Sequence, residues 1–129
     1  MYITDPVSDY FSQIRNAQML NLSYTYIRNT DLSISILKAL QQEGFIKGFS
    51  IQLSKNLIKV FLRDNKKSNT FKVLKRISKP SCRTYFSVKF LLSLNFKTGI
   101  FLLSTPLGIL SHTQALKKGL SGEVLCFIL

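Results

Sequence analysis

The sequence predicts an α+β protein in two small lobes, and three observations carry that reading. Apolar residues recur at helical spacing in two segments of the first half, with short β-branched and aromatic runs between and after them. The second half is dominated by such short runs, broken by turn residues. Between the two patterns lies residues 64–69 ("DNKKSN"), polar, charged and without periodicity. The lobes are accordingly residues 1–65, ordered α-β-α-β-β, and residues 66–129, mainly β with a short helix. A chain of 129 residues, 46% of them hydrophobic, can bury a core, which argues against disorder of the whole.

The first helix is placed at Asp5-Pro6. Asp5 can accept hydrogen bonds from free backbone N–H groups, and Pro6 fits the first helical position, where its missing donor costs nothing. Val7, Tyr10, Phe11 and Ile14 mark its buried face. Residues 23–28 ("SYTYIR") read as a strand. A second helix spans residues 31–43, with Ile34, Leu37 and Leu40 inward and Gly44 closing it in the left-handed conformation. Phe49, Ile51 and Leu53 alternate, a Ser54-Lys55-Asn56 turn follows, and residues 57–63 return, which predicts a hairpin. In the second lobe a strand is expected over residues 71–77, a turn at Pro80, and a buried strand over residues 100–104. The turn Ser104-Thr105-Pro106-Leu107-Gly108 then leads toward a short helix over residues 112–118, ended by Gly119. Residues 124–128 form the last strand.

Eighteen Lys and Arg against six Asp and Glu give a net charge of +12, far above what solubility requires. Residues 47–97 hold thirteen of the basic residues and one acid, Asp64. Such an excess repels itself unless phosphate neutralises it, so a polyanionic partner is implied; the alternative is a solvated basic face. Cys82 and Cys126 lie far apart with one histidine in the chain, too few ligands for a zinc site. Two reduced thiols are the expectation. No apolar run reaches the eighteen or so residues of a membrane span, and Asp5 and Asp9 precede the first basic residue, Arg15, the wrong charge order for a transit or signal peptide.

Catalysis fails on inventory. The six acids are scattered singly, Asp5, Asp9 and Asp31 sit at helix starts, and no glycine-rich phosphate loop is present. His112 is read as a helix-start or surface histidine. No catalytic residue, metal or cofactor is expected, and no small-molecule substrate. RNA binding asks for different groups, namely cations for phosphates, planar rings for exposed bases and small hydroxyls at tight turns. Residues 75–85 supply Lys75, Arg76, Lys79 and Arg83 with two serines and Tyr85 around one turn. The alternative there is an exposed basic hairpin with Tyr85 in the core. At the turn after residue 103, Ser104 and Thr105 offer hydroxyls and Gly108 allows close backbone approach; an ordinary turn is the competing reading.

Four segments, in order, resemble one family. These are "DPVSDYFSQIRNAQ" from Asp5, "LQQEGFIKGF" from Leu40, "RISKPSCRTY" from Arg76 and "STPLGILSHTQALKKGLSGEVLCFI" from Ser104. Together they look like small-subunit ribosomal protein eight of the bacterial and organellar type, over almost the whole chain. The resemblance implies a two-lobed protein that binds a helical junction in the central domain of small-subunit ribosomal RNA, with the C-terminal lobe as principal contact and other small-subunit proteins as neighbours. It assigns base and ribose contacts to Ser104, Thr105 and Gly108, places Tyr85 near the RNA, and gives Glu123 the task of orienting nearby backbone and hydroxyl groups. Arg15 and Asn16 match the end of the family's first helix, whose lobe touches a second RNA segment. Lys55, Arg76, Lys79 and Arg83 complete the contact set as cations.

The chain departs from the family at Pro106-Leu107, where Ser-Lys is usual, at Ser81, where glycine is common, and at Ser121-Gly122, where two glycines are common. The first change exchanges a phosphate contact for a stiffer backbone. Many Phe, Ile, Leu, Lys, Asn, Tyr and Ser with only three alanines suggest an A+T-rich coding genome. An organelle-encoded protein of the mitochondrial ribosome is the favoured location, with a plastid or a bacterial cytoplasm as alternatives. A protein-interaction module for an acidic partner, or an RNA binder acting outside the ribosome, is the rival reading of function.

Overall fold

The computed structural model describes residues 6–63, 74–78, 82–93 and 99–129. The chain divides into two compact units, residues 1–70 and 71–129, each with its own antiparallel sheet. Expectations for Asp5, for the 64–69 stretch, for residues 71–73 and for Lys79, Pro80 and Ser81 fall outside the described residues. No helix of the described residues is long and apolar enough to cross a membrane.

In the first unit, α1 (Pro6–Met19) buries Val7, Tyr10, Phe11, Ile14 and Ala17, a spacing of three and four that keeps one stripe inward. β1 (Tyr24–Arg28) follows, then α2 (Asp31–Gln42) and the hairpin β2 (Ile46–Gln52) and β3 (Leu57–Leu62). The strand order is β1-β3-β2, with Ile27, Ile58, Val60 and Leu62 buried on the face that the helices cover. Thr30 starts α2: its hydroxyl accepts from the Ser33 N–H at 3.1 Å while the Thr30 N–H donates to Ser33 Oγ at 2.9 Å. This reciprocal cap satisfies two otherwise open donors. Tyr10 Oη, from α1, meets Thr30 Oγ1 at 2.8 Å.

Two details of this unit differ from expectation. The buried stripe of α2 is Ser33, Ile36, Leu37, Ala39 and Leu40, so Ile34 lies at its margin. The cap sets this phase, because Ser33 must turn inward to meet Thr30. In β2, Ile51 is exposed, as is Leu53 in the turn beyond it. β2 is an edge strand, and the alternation of Phe49, Ile51 and Leu53 does not mark a covered face. Gly44 does close the helix, at φ +82.

In the second unit, β4 (Leu74–Arg76), β5 (Tyr85–Phe86), β6 (Ile100–Thr105), β7 (Gly108–Ser111) and β8 (Gly122–Ile128) form one sheet, with α3 (Val88–Ser93) and α4 (His112–Lys117) beside it. β8 is central, pairing with β6 on one side and with β4 and β5 on the other. Leu91, Phe101, Leu103, Ala115 and Val124 make the core, with Ile77, Phe86, Leu110, Leu116 and Phe127 packed against it.

Two elements here correct the sequence reading. α3 was not expected; Ser87 starts it, accepting from the Phe90 N–H at 3.2 Å, and it buries only Leu91, so its apolar pattern is one residue deep. The turn after Thr105 does not lead from strand to helix. It joins β6 to β7 as a two-residue hairpin link, Pro106-Leu107, with Thr105 opposite Gly108. Pro106 fits such a link because its ring fixes φ and it needs no ladder donor, and Gly108 takes φ +113 to bring the chain back. The helix begins at His112 as expected, after the four residues of β7, capped by Ser111, which accepts from the Gln114 N–H.

Candidate nucleic-acid interface

The sheet of the second unit sets three candidate residues in one row. In β6–β8 pairing Ser104 faces Glu123, and in β5–β8 pairing Tyr85 faces Glu123. Directly opposed residues of antiparallel strands share a face, so Ser104, Glu123 and Tyr85 line up across three strands at a spacing of about 4.8 Å per strand. Their neighbours Leu103, Val124 and Phe86 point to the core side, which alternation requires. Thr105 and Gly108 lie at the hairpin end next to this row, where Thr105 Oγ1 donates to the Gly108 carbonyl at 2.7 Å. The threonine hydroxyl thereby stiffens the link and keeps its lone pairs for another donor.

Glu123 organises the basic segment. Its Oε1 accepts from Ser78 Oγ at 2.6 Å and from Arg83 at 2.8 Å. Ser78 Oγ also accepts from the Thr84 N–H at 3.3 Å, and the backbone ties Ser78 N–H to Val124 O and Val124 N–H to Thr84 O. Both limbs of the segment around residues 79–81 are thus stapled to β8. Burial pushes the Glu123 carboxyl up, but the hydrogen bonds from Ser78 and Arg83 and the charges of Arg83 and Arg76 outweigh it, leaving the group below its ordinary value. The carboxylate is held ionised and mostly covered, with 19% of its side chain exposed, so it works inward on the protein. Arg83 keeps 51% of its side chain exposed beside it, and Tyr85 is 67% exposed.

The surface therefore offers an exposed ring, an oriented guanidinium and the Ser104 hydroxyl on one face, with the Thr105 hydroxyl at the hairpin end beside them. Such a set can stack a base, hold a phosphate and bond a ribose. A cleft of about 550 Å³ lined by Tyr85, Phe86, Ser87, Phe90, Ser121 and Gly122 opens beside Tyr85. Gly122 is required there: a Cβ on it would run into the Ser104 carbonyl and against Thr105 Cγ2.

The remaining candidates are placed as follows. Arg76, on β4, lies opposite Cys126 and acts on Glu123 through its charge. Arg15 and Asn16 are exposed on α1, which continues one turn beyond them to Met19, so they do not end the helix. Lys55 is exposed in the β2–β3 turn. These three belong to the first unit. Sequence reasoning missed Ser78 as the partner of Glu123, since a serine in a basic run carries no mark of its burial. It also placed His112 too near the surface: the ring starts α4 but is buried, and its Nδ1 accepts from the Phe101 N–H at 3.1 Å. That acceptor role requires an unprotonated Nδ1, a structural duty. Cys82 is exposed and Cys126 buried, both as free thiols; burial pushes the Cys126 thiol up to about 12, against smaller opposing effects of the Leu102 backbone and Arg76. Among the described residues no three His, Cys, Asp or Glu gather as a metal site would need.

Fold and site together define a class, that of small basic α+β proteins with a cationic and aromatic sheet surface. Comparison with known proteins narrows this. The sequence profile of the family Ribosomal protein S8 matches residues 5–129, and the chain belongs to that family, a ribosomal-protein family and not an enzyme family. It is 39% identical over 132 residues to small ribosomal subunit protein uS8 of Ruthia magnifica subsp. Calyptogena magnifica, 99% of each chain being covered. It is likewise 37% identical to uS8 of Halothermothrix orenii and 38% identical to uS8 of Acholeplasma laidlawii, each with 99% of both chains covered.

Proposed function

We propose that this chain is a structural constituent of the small ribosomal subunit that binds small-subunit ribosomal RNA and supports assembly and translation. The observation that carries the reading is the family match from residue 5 to residue 129, with relatives named as small-subunit proteins aligned end to end. The second unit is the principal RNA contact. Ser104, Thr105, Gly108 and Tyr85 set position on unpaired bases and riboses, while Arg76, Lys79 and Arg83 hold phosphates. Glu123 serves by fixing Ser78 and Arg83. Arg15, Asn16 and Lys55 touch a second RNA segment through the first unit, and neighbouring small-subunit proteins complete the surroundings. The net charge of +12 supports a contact in which phosphates supply most of the affinity.

In extracts at moderate salt the chain is expected to sediment with small ribosomal subunits. Recovery only in light fractions overturns the ribosomal reading and favours a basic binding module acting elsewhere. The finer location is the mitochondrial ribosome, supported by a composition with three alanines among 129 residues. Continued synthesis of the chain when organellar translation is blocked would count against an organelle-encoded origin.

A further inference from the structure

We propose that the outer face of the three-stranded sheet in the first unit is an additional RNA contact, which takes an unpaired base on Tyr24 or Tyr26 beside the cations Lys59 and Arg28. It is separate from Arg15 and Asn16, which lie on α1 at the opposite, covered face of that sheet. Alternation in β1 sends Ile27 inward and puts Tyr24, Tyr26 and Arg28 outward. Register then sets Tyr24 opposite Phe61 and Tyr26 opposite Lys59 on β3. Tyr24, Tyr26 and Phe61 are 45%, 38% and 37% exposed, a large aromatic surface for the uncovered side of a sheet.

Charge selects the occupant. The Lys59 ammonium lies 4.2 Å from the Tyr24 ring centroid and 5.4 Å from that of Phe61, and Arg28 continues the same face. The strands YTYIR, IKGFSIQ and LIKVFL contain no Asp or Glu. A face that joins rings to cations without a carboxylate fits a nucleic acid with accessible bases, because stacking and phosphate attraction act together there. Ring geometry selects the form of RNA. Tyr24 and Tyr26 stand 5.7 Å apart at 80° to one another. A continuous stack of bases cannot lie flat on two perpendicular rings, so the face suits one splayed base, and a duplex offers none.

The test uses the full chain and two probes of equal length, a single-stranded oligoadenylate and an adenine–uracil RNA duplex. Replacing Tyr24 and Tyr26 together by Ala is expected to weaken oligoadenylate binding about tenfold or more, with little effect on the duplex. The double Phe variant keeps both rings and is expected to bind as the wild type does, which separates stacking from any folding defect. The Ala effect should be of the same size in a Tyr85→Ala background, so that it stands or falls apart from the second unit's role. Equal binding by the Ala variant, equal loss on both probes, or ultraviolet crosslinks from Tyr24 and Tyr26 to a protein in the assembled subunit would each overturn the proposal.

Discussion

At Glu123 one carboxylate oxygen accepts from Ser78 and Arg83, and its pKa is held below the ordinary value of 4.5. The folded state thus binds fewer protons at this site than the unfolded chain, so stability from the pair is complete above pH 4.5 and is lost as pH falls through the lower folded value. Glu123→Gln should be less stable than wild type at pH 7 in urea titrations. The gap should begin to narrow as pH falls below 4.5 and close below the lower folded value, where the wild-type group is neutral too; a gap unchanged at acid pH would mean that the ionised carboxylate contributes nothing. The sequence allowed part of this to be read. The family resemblance assigned Glu123 an orienting role, which fits its inward bonds, but the choice of Ser78 depends on a contact across 45 positions of chain that no local pattern encodes.

Elements were legible where periodicity was long and obscure where it was short. α1 and α2 follow from apolar spacing, and the β2–β3 hairpin from its Ser54-Lys55-Asn56 turn and the alternation of β3. α3, with six residues and one buried side chain, presents no stripe to read. β7 was hidden because Gly108 reads equally as the exit toward a helix, and only pairing with β6 decides between the two. The row at the interface depends on this hairpin and on the close approach of β8 to β6 at Gly122. Gly122→Ala should destabilise the chain by about 1–3 kcal/mol through overpacking against the Ser104 backbone, measured as a lower midpoint in denaturant. RNA affinity should fall with it even where folding is complete, since Ser104 must shift; a variant with wild-type stability and affinity would show that the strands part without cost.

Across the whole molecule, two contributions to binding should separate. Charge acts everywhere and without regard to sequence, so replacing Lys66 and Lys67 by Ala should weaken specific and random RNA alike. Up to two lost phosphate contacts would make the salt dependence shallower by roughly 1–2 in its logarithmic slope. An unchanged slope would place those lysines away from phosphate. Composition alone made this diffuse term legible, whereas the position of the specific contact required the register of β5, β8 and β6. The central claim is that the second unit recognises RNA through the ring of that row and the Ser104 and Thr105 hydroxyls at its hairpin end. Its most direct test is the affinity of the Ser104→Ala, Thr105→Ala double variant for a fragment of small-subunit ribosomal RNA central domain and for a random duplex at one salt concentration. The account predicts a loss on the order of tenfold for the ribosomal fragment with the random duplex nearly unaffected; equal losses on both would contradict it.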